Sequence, residues 1–236
     1  MRTKLTVILA LVALFTGIQT ARAGQENREV PAFSGILLRV PAKLHVAQGE
    51  KQSIEIVAKE STLEDIITEV KDRELVIRFP NKRYLFKRSN PGKIEIFITV
   101  PEVGSLAVSG SGNILNDGEI NTRILDISVS GSGDVTLDAL KAERVRVSIS
   151  GSGDIKLSGP GKTSELTVSI SGSGNFYGID FPAENVDVKM SGSGNVDVYA
   201  DNDLNIKSAG SGDVTYRGNP NINQTSLGSG TVKSKN

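Results

Sequence analysis

The tripeptide Gly-Ser-Gly recurs seven times from residue 110 onward in this 236-residue chain, with first glycines at Gly110, Gly131, Gly151, Gly172, Gly192, Gly210 and Gly228. The steps between copies are 21, 20, 21, 20, 18 and 18 residues, and the copies hold fourteen of the chain's 25 glycines. Asn113, Asp134, Asp154, Asn175, Asn195 and Asp213 follow the first six, and Thr231 follows the last. A fixed period of this length marks a repeat architecture, in which each unit buries its apolar face only by stacking on its neighbours.

The flanks of each copy decide which repeat. Two, four and six positions before the first glycine stand Leu125, Ile127 and Val129, then Val145, Val147 and Ile149, then Leu166, Val168 and Ile170, then Val186, Val188 and Met190. Four and six positions after it, Val135 and Leu137, Ile155 and Leu157, and Val196 and Val198 continue the pattern. Alternation of period two means strands with one buried face. Each unit therefore reads as strand, glycine corner, strand and a variable return. A repetitive antiparallel sheet is the rival, but identical corners are better explained by coils stacked about 4.8 Å apart in parallel ladders. The expectation is an all-β chain: a parallel right-handed β-solenoid with an N-terminal β-rich capping region.

Three segments follow. Residues 1–23 carry Arg2 and Lys4, the apolar run Leu5 to Phe15 and the small-residue site Ala21-Arg22-Ala23. They read as a signal peptide cleaved before Gly24, the apolar run being short for a membrane span. Residues 24–100 are the β-rich cap, with strands expected at Ile36–Val40, Leu44–Ala47, Ser53–Ala58, Glu74–Phe79 and Ile94–Val100. Ser61-Thr62-Leu63-Glu64 has the capping-box spacing that opens a short helix through Ile67. Residues 101–236 are the solenoid, tapering where Ser208, Gln224 and Ser226 replace apolar residues.

Composition closes many functional routes. The absence of cysteine removes disulfides, thiol nucleophiles and thiolate metal sites, and a single His45 removes any two-histidine metal site. Without Arg2, Lys4 and Arg22 the mature chain carries 24 basic and 27 acidic residues, a net of −3. That balance lacks the basic footprint of a nucleic-acid binder. No later segment is long and apolar enough to serve as a transmembrane anchor.

Several features are weighed as sites. The Asn/Asp series invites a calcium reading, but calcium wants six to eight oxygens and one side chain per coil supplies few. Turn chemistry of Asn and Asp accounts for it, so no metal and no cofactor is expected. The serine series Ser109, Ser130, Ser150, Ser171 and Ser191, with Ser128, Ser148 and Ser169, lacks a neighbouring base and reads as stacked hydroxyls that satisfy one another, with no catalytic residue. Two candidates for binding remain. The run Lys82-Arg83-Tyr84-Leu85-Phe86-Lys87-Arg88 could hold phosphate or acidic sugar. Tyr177 and Tyr199 should point outward from neighbouring coils, with Lys156, Asp197 and Arg217 on the same face, as a sugar platform.

The strand pair around Phe33 to Val46, the run Ile94 to Pro101 and the serial Ser-Gly-Ser-Gly-Asn/Asp copies resemble the head GIN domain family, described as auto-transporter adhesins. The resemblance spans nearly all of residues 30–232 and implies an exported β-helical protein. No block of alternating membrane strands follows the solenoid, so self-export through an outer membrane is not expected. The function expected is an exported, non-enzymatic, adhesin-like binding protein in the periplasm or on the surface of a Gram-negative bacterium. Its partner would be an envelope glycan or lipopolysaccharide. The alternatives are a self-associating envelope component, a homo-oligomer, and, less favoured, a polysaccharide-degrading β-helix enzyme. Against the enzyme stand coils too short and uniform to wall a groove.

Overall fold

The computed structural model describes residues 23–80 and 91–235, and in it every Gly-Ser-Gly copy is a corner between two strands. Ahead of the repeat lie β1 (Ala23–Asn27), β2 (Gly35–Leu38), β3 (Lys43–Gln48), β4 (Ser53–Lys59), α1 (Glu60–Leu63), β5 (Ile67–Lys71), β6 (Glu74–Arg78) and β7 (Glu95–Val100). The repeat contributes β8 (Ser105–Gly110), β9 (Asn113–Asn116), β10 (Ile120–Gly131), β11 (Asp134–Asp138), β12 (Leu140–Gly151) and β13 (Ile155–Ser158). It continues with β14 (Thr163–Gly172), β15 (Phe176–Gly192), β16 (Val196–Gly210), β17 (Val214–Arg217), β18 (Asn221–Gly228) and β19 (Val232–Ser234).

The coils stack in parallel. On the flank before the corners, β8, β10, β12, β14 and the later parts of β15 and β16 pair in that order and end on β18. On the flank after them, β9, β11, β13, the starts of β15 and β16, β17 and β19 do the same. The result is the expected parallel β-solenoid, of about six turns. Inward residues form vertical columns: Ile127 lies on Val147 and then on Val168, and each is at most 2% exposed. Burying one such side chain contributes roughly 1.5–3 kcal/mol, and the repeat does so several times per coil.

Glycine is required twice at each corner, for different reasons. The first of each triplet has positive φ, 128° at Gly131, where an L side chain is strained. The second lies against the coil below, and a Cβ on Gly133 would collide with the Gly112 carbonyl oxygen. That close approach lets the Gly110 carbonyl accept from both Ser132 N and Gly133 N at 2.9 Å. The next corner repeats the bond, with Gly131 O accepting from Ser152 N at 2.8 Å and Gly153 N at 3.0 Å.

The same sheets run on into the segment that precedes the repeat, in a different order from the sequence. Strands β2 and β3 pair in parallel with β8 and β9, and so make a coil without a Gly-Ser-Gly corner. Strands β6 and β7, later in the chain, pair on the far side of that coil. Antiparallel strands then close the stack: β5 on β6, β4 on β7, and β1 on β4.

One local expectation is corrected. Helix α1 begins at Glu60 behind an Lys59 N-cap that makes no side-chain capping bond, so the Ser61–Glu64 capping box does not form. Burial of Thr62 and Leu63 sets its phase instead, and the Thr62 hydroxyl donates to the Pro91 carbonyl at 2.8 Å. At the other end, Gln224 and Ser226 take the inward register over Ile206 and Ser208, and Ile206 beneath them is only 1% exposed. Every residue of β18 is exposed, with Ile222 at 44% and Leu227 at 73%.

Candidate functional site

Three surface features can be judged from their geometry, beginning with the Asn/Asp series. Asn113 Oδ1 accepts the amide of Asp134 at 3.1 Å, and Asp134 Oδ1 accepts that of Asp154 at 2.9 Å. Asp154 Oδ1 accepts both the amide and the Nδ2 of Asn175, at 2.8 and 2.9 Å. The series continues through Asn175 and Asn195 to Asp213, whose Oδ1 accepts from Thr231 N at 2.8 Å and Thr231 Oγ1 at 2.7 Å. Each side chain thus caps a main-chain N–H of the next coil, which is a structural role. The hydroxyl and then the amide of Thr231 hold the Asp213 carboxyl below the ordinary aspartate range. Among the described residues no three His, Asp or Glu side chains converge as metal ligands.

The tyrosine face lies on the flank after the corners. Tyr177 is 41% exposed and stands in one outward column between Lys156 and Asp197. Partial burial, then the carboxylates of Asp154 and Asp197, hold its phenol above the ordinary tyrosine value. Tyr199 is half-buried in the adjacent column, opposite Arg217, after a register shift between Gly178 and Pro182. Arg217 in turn pairs with Asp180 at 3.6 Å. The two rings therefore belong to neighbouring coils and neighbouring columns. The basic run with Lys82, Arg83, Tyr84, Lys87 and Arg88 lies outside the described residues.

The serines occupy the other flank. Ser109, Ser130, Ser150, Ser171 and Ser191 form one outward column, and Ser128, Ser148 and Ser169 the next. They do not satisfy one another: none of these hydroxyls bonds to another described residue. His45 is on the opposite flank, with Nδ1 3.1 Å from Asp117 Oδ1 and its ring stacked on Phe97 at 5.0 Å. No serine–histidine pair is assembled among the described residues.

Sequence reasoning passed over one alignment. Three positions before each corner, the column that begins Ser128, Ser148 and Ser169 continues as Lys189, Lys207 and Thr225. Counting back from each glycine would have found it.

A family model described as "Putative auto-transporter adhesin, head GIN domain" matches residues 32–220. Among solved structures, a protein from Bacteroides fragilis described as a "putative adhesin" is 25% identical with a TM-score of 0.82, over 90% of this chain and 97% of that one. A protein from Parabacteroides distasonis described as a "Putative lipid binding protein" is 21% identical with a TM-score of 0.75, over 92% of this chain and 98% of that one. A protein from Parabacteroides merdae described as a "putative adhesin" is 20% identical with a TM-score of 0.70, over the same shares, 92% and 98%. These last two likenesses concern the fold alone. No curated protein matches the chain.

Proposed function

Because the chain belongs to the head GIN domain family, we propose that it is an exported, non-enzymatic binding protein of the cell envelope that recognises a glycan through a rigid outward face of its solenoid. The observation that carries this reading is Tyr177, a large aromatic ring left 41% exposed on a parallel sheet whose inward neighbours Phe176 and Val196 are fully buried. An aromatic face flanked by Lys156 and Asp197 offers a sugar both a stacking surface and polar partners. Tyr199 and Arg217 extend that surface by one column. Export is supported by the leader-like pattern of residues 1–23, and no described helix is long and apolar enough to cross a membrane. Periplasm or cell surface of a Gram-negative bacterium fits both. The basic run Lys82–Arg88 is a second candidate contact, toward phosphate or acidic sugar such as lipopolysaccharide carries.

The test is retention of the chain from Gly24 on immobilised lipopolysaccharide, peptidoglycan and neutral and acidic glycans, at low and high salt. Salt-resistant retention on a neutral glycan, lost in Tyr177→Ala and kept in Tyr177→Phe, is the expected result. Unchanged retention of Tyr177→Ala would remove the platform from the reading. Retention that salt abolishes would point to the basic run instead, since exposed charge contacts are screened.

A second reading, a self-associating envelope component, is supported by β18. All eight of its residues are exposed, and none is charged or proline. Edge strands normally carry such residues against pairing with another chain.

A further inference from the structure

The two lysines that follow the serines in their column stand like charge against like charge on adjacent rungs. Elsewhere on the coils, basic groups face acids one rung away: Arg146 meets Asp126 at 2.9 Å, Lys141 meets Glu119 at 2.9 Å, and Lys156 meets Asp138 at 3.6 Å. Lys189 instead lies directly opposite Lys207 in the parallel ladder, and both are exposed. Like charges directly opposite destabilise a sheet pair. Neither ammonium forms an ion pair with a described residue. Asp187 precedes Lys189 by two positions on the same outward row, and Asn205 takes that place before Lys207.

We propose that this face binds an acidic saccharide, its carboxylate or phosphate on Lys189 and Lys207 and its hydroxyls along the serine columns. A shallow groove of about 270 Å³ lies here, lined by the serines of both columns with Lys189 and Lys207, and between them by the buried Ile149, Ile170 and Met190. That is room for a sugar ring with one anionic substituent. Charge complementarity selects the anion, and an ammonium pair supplies it with charge-assisted hydrogen bonds. The unbonded hydroxyls select a polyhydroxylated body, because each can both donate and accept. They recur at the rung spacing of about 4.8 Å, so a polymer can lie along the columns. A lipid surface fits less well. The exposed large apolar side chains of the described residues are Phe97, Tyr177, Ile222 and Leu227, and none lines this groove.

The inference deepens the binding reading but stands on the opposite flank from Tyr177, so the two can fail separately. Its test is the equilibrium binding of the chain from Gly24 to sodium polygalacturonate, neutral dextran and phosphatidylglycerol vesicles. Polygalacturonate should bind, dextran should not, and salt should weaken the complex. The double variant Lys189→Ala/Lys207→Ala should lose about tenfold in affinity, the scale of two exposed charge-assisted contacts. Lys51→Ala/Lys235→Ala, which removes the same net charge elsewhere, should bind like the parent. Matched melting temperatures show that the variants fold, as expected for exposed side chains. No binding to polygalacturonate, equal losses in the two double variants, or binding to vesicles without the polysaccharide would each overturn the proposal. Loss of retention in Tyr177→Ala with polygalacturonate binding intact would leave it standing.

Discussion

Gly131 and Ser132 are neighbours in one corner, yet they differ in what they tolerate. Alanine at Gly131 has to hold φ at 128° and presses a methyl group onto the Gly110 carbonyl oxygen. Gly131→Ala should lower unfolding stability in denaturant by about 2–4 kcal/mol, strain and overlap combined. Ser132 is exposed, and Ser132→Ala should change it by less than about 0.5 kcal/mol. The Asn/Asp series allows a sharper comparison. Asp154→Ala leaves the amide of Asn175 without its acceptor and should cost about 1–2 kcal/mol, whereas Asp154→Asn keeps an oxygen in place and should cost less. Asp213 adds a pH dependence whose sign is fixed. Its folded carboxyl is held below the ordinary value, so the folded state binds fewer protons, and its contribution is present above about pH 4 and fades as pH falls below it. Denaturant titrations at pH 6 and pH 3 should show a smaller acid loss for Asp213→Asn than for the parent; equal losses would mean that the Thr231 bonds do not bias the titration. This role was half legible. Turn residues after a corner were readable, but the acceptance of the next coil's amide depends on the vertical register, which one unit of sequence does not contain.

At the scale of elements, alternation predicted which side chains turn inward but not which strands become neighbours. Period two sets a strand's face and leaves its partner open. Within the repeat the corner glycines supply that information, since only like corners stack. Residues 24–100 have no such marker, and there the strands were found while their order was not: β6 and β7 lie beyond β2 and β3, which they follow in the chain. The short helix shows the same limit, because burial of Thr62 and Leu63 overrode the local capping signal. For the candidate sites, outward parity was enough to place Tyr177 and Tyr199 on the surface. The opposition of Lys189 and Lys207 needed the rung pairing as well. Stacking also makes the strands unequal in energy. Ile149 on β12 is 1% exposed between two coils, and Ile149→Ala should cost about 3 kcal/mol through lost burial and a cavity. Ile222 on β18 has a coil on one side only and is 44% exposed, so Ile222→Ala should cost under about 1 kcal/mol. Equal losses in thermal or denaturant unfolding would mean that β18 is covered in solution.

Across the whole molecule, the two ends of the stack are built differently, and that difference limits how copies can meet. One end finishes in antiparallel strands, with β1 and β4 beyond β7 and β5 beyond β6. The other finishes in β18 and β19, whose outer edges find no further strand among the described residues. A parallel stack gains stability rung by rung from its neighbours, so the unprotected end should open first. Amide exchange should therefore be fastest in β18 and β19 and slowest around β12 and β14. Pairing with a second copy would slow it, and the geometry favours one arrangement. Head-to-tail stacking brings the uncapped edge against the antiparallel end, whereas tail-to-tail contact lets β18 pair with its own copy across a two-fold axis, closing both edges at once. Sedimentation at rising concentration should then show a monomer–dimer equilibrium that stops at two copies. Leu227→Lys, which places a charge on this uncharged edge, should shift it toward monomer while Lys189→Ala leaves it unchanged. Species larger than a dimer would rule out the two-fold contact, and a strict monomer with fast exchange in β18 would leave the outward faces of the solenoid as its binding surfaces.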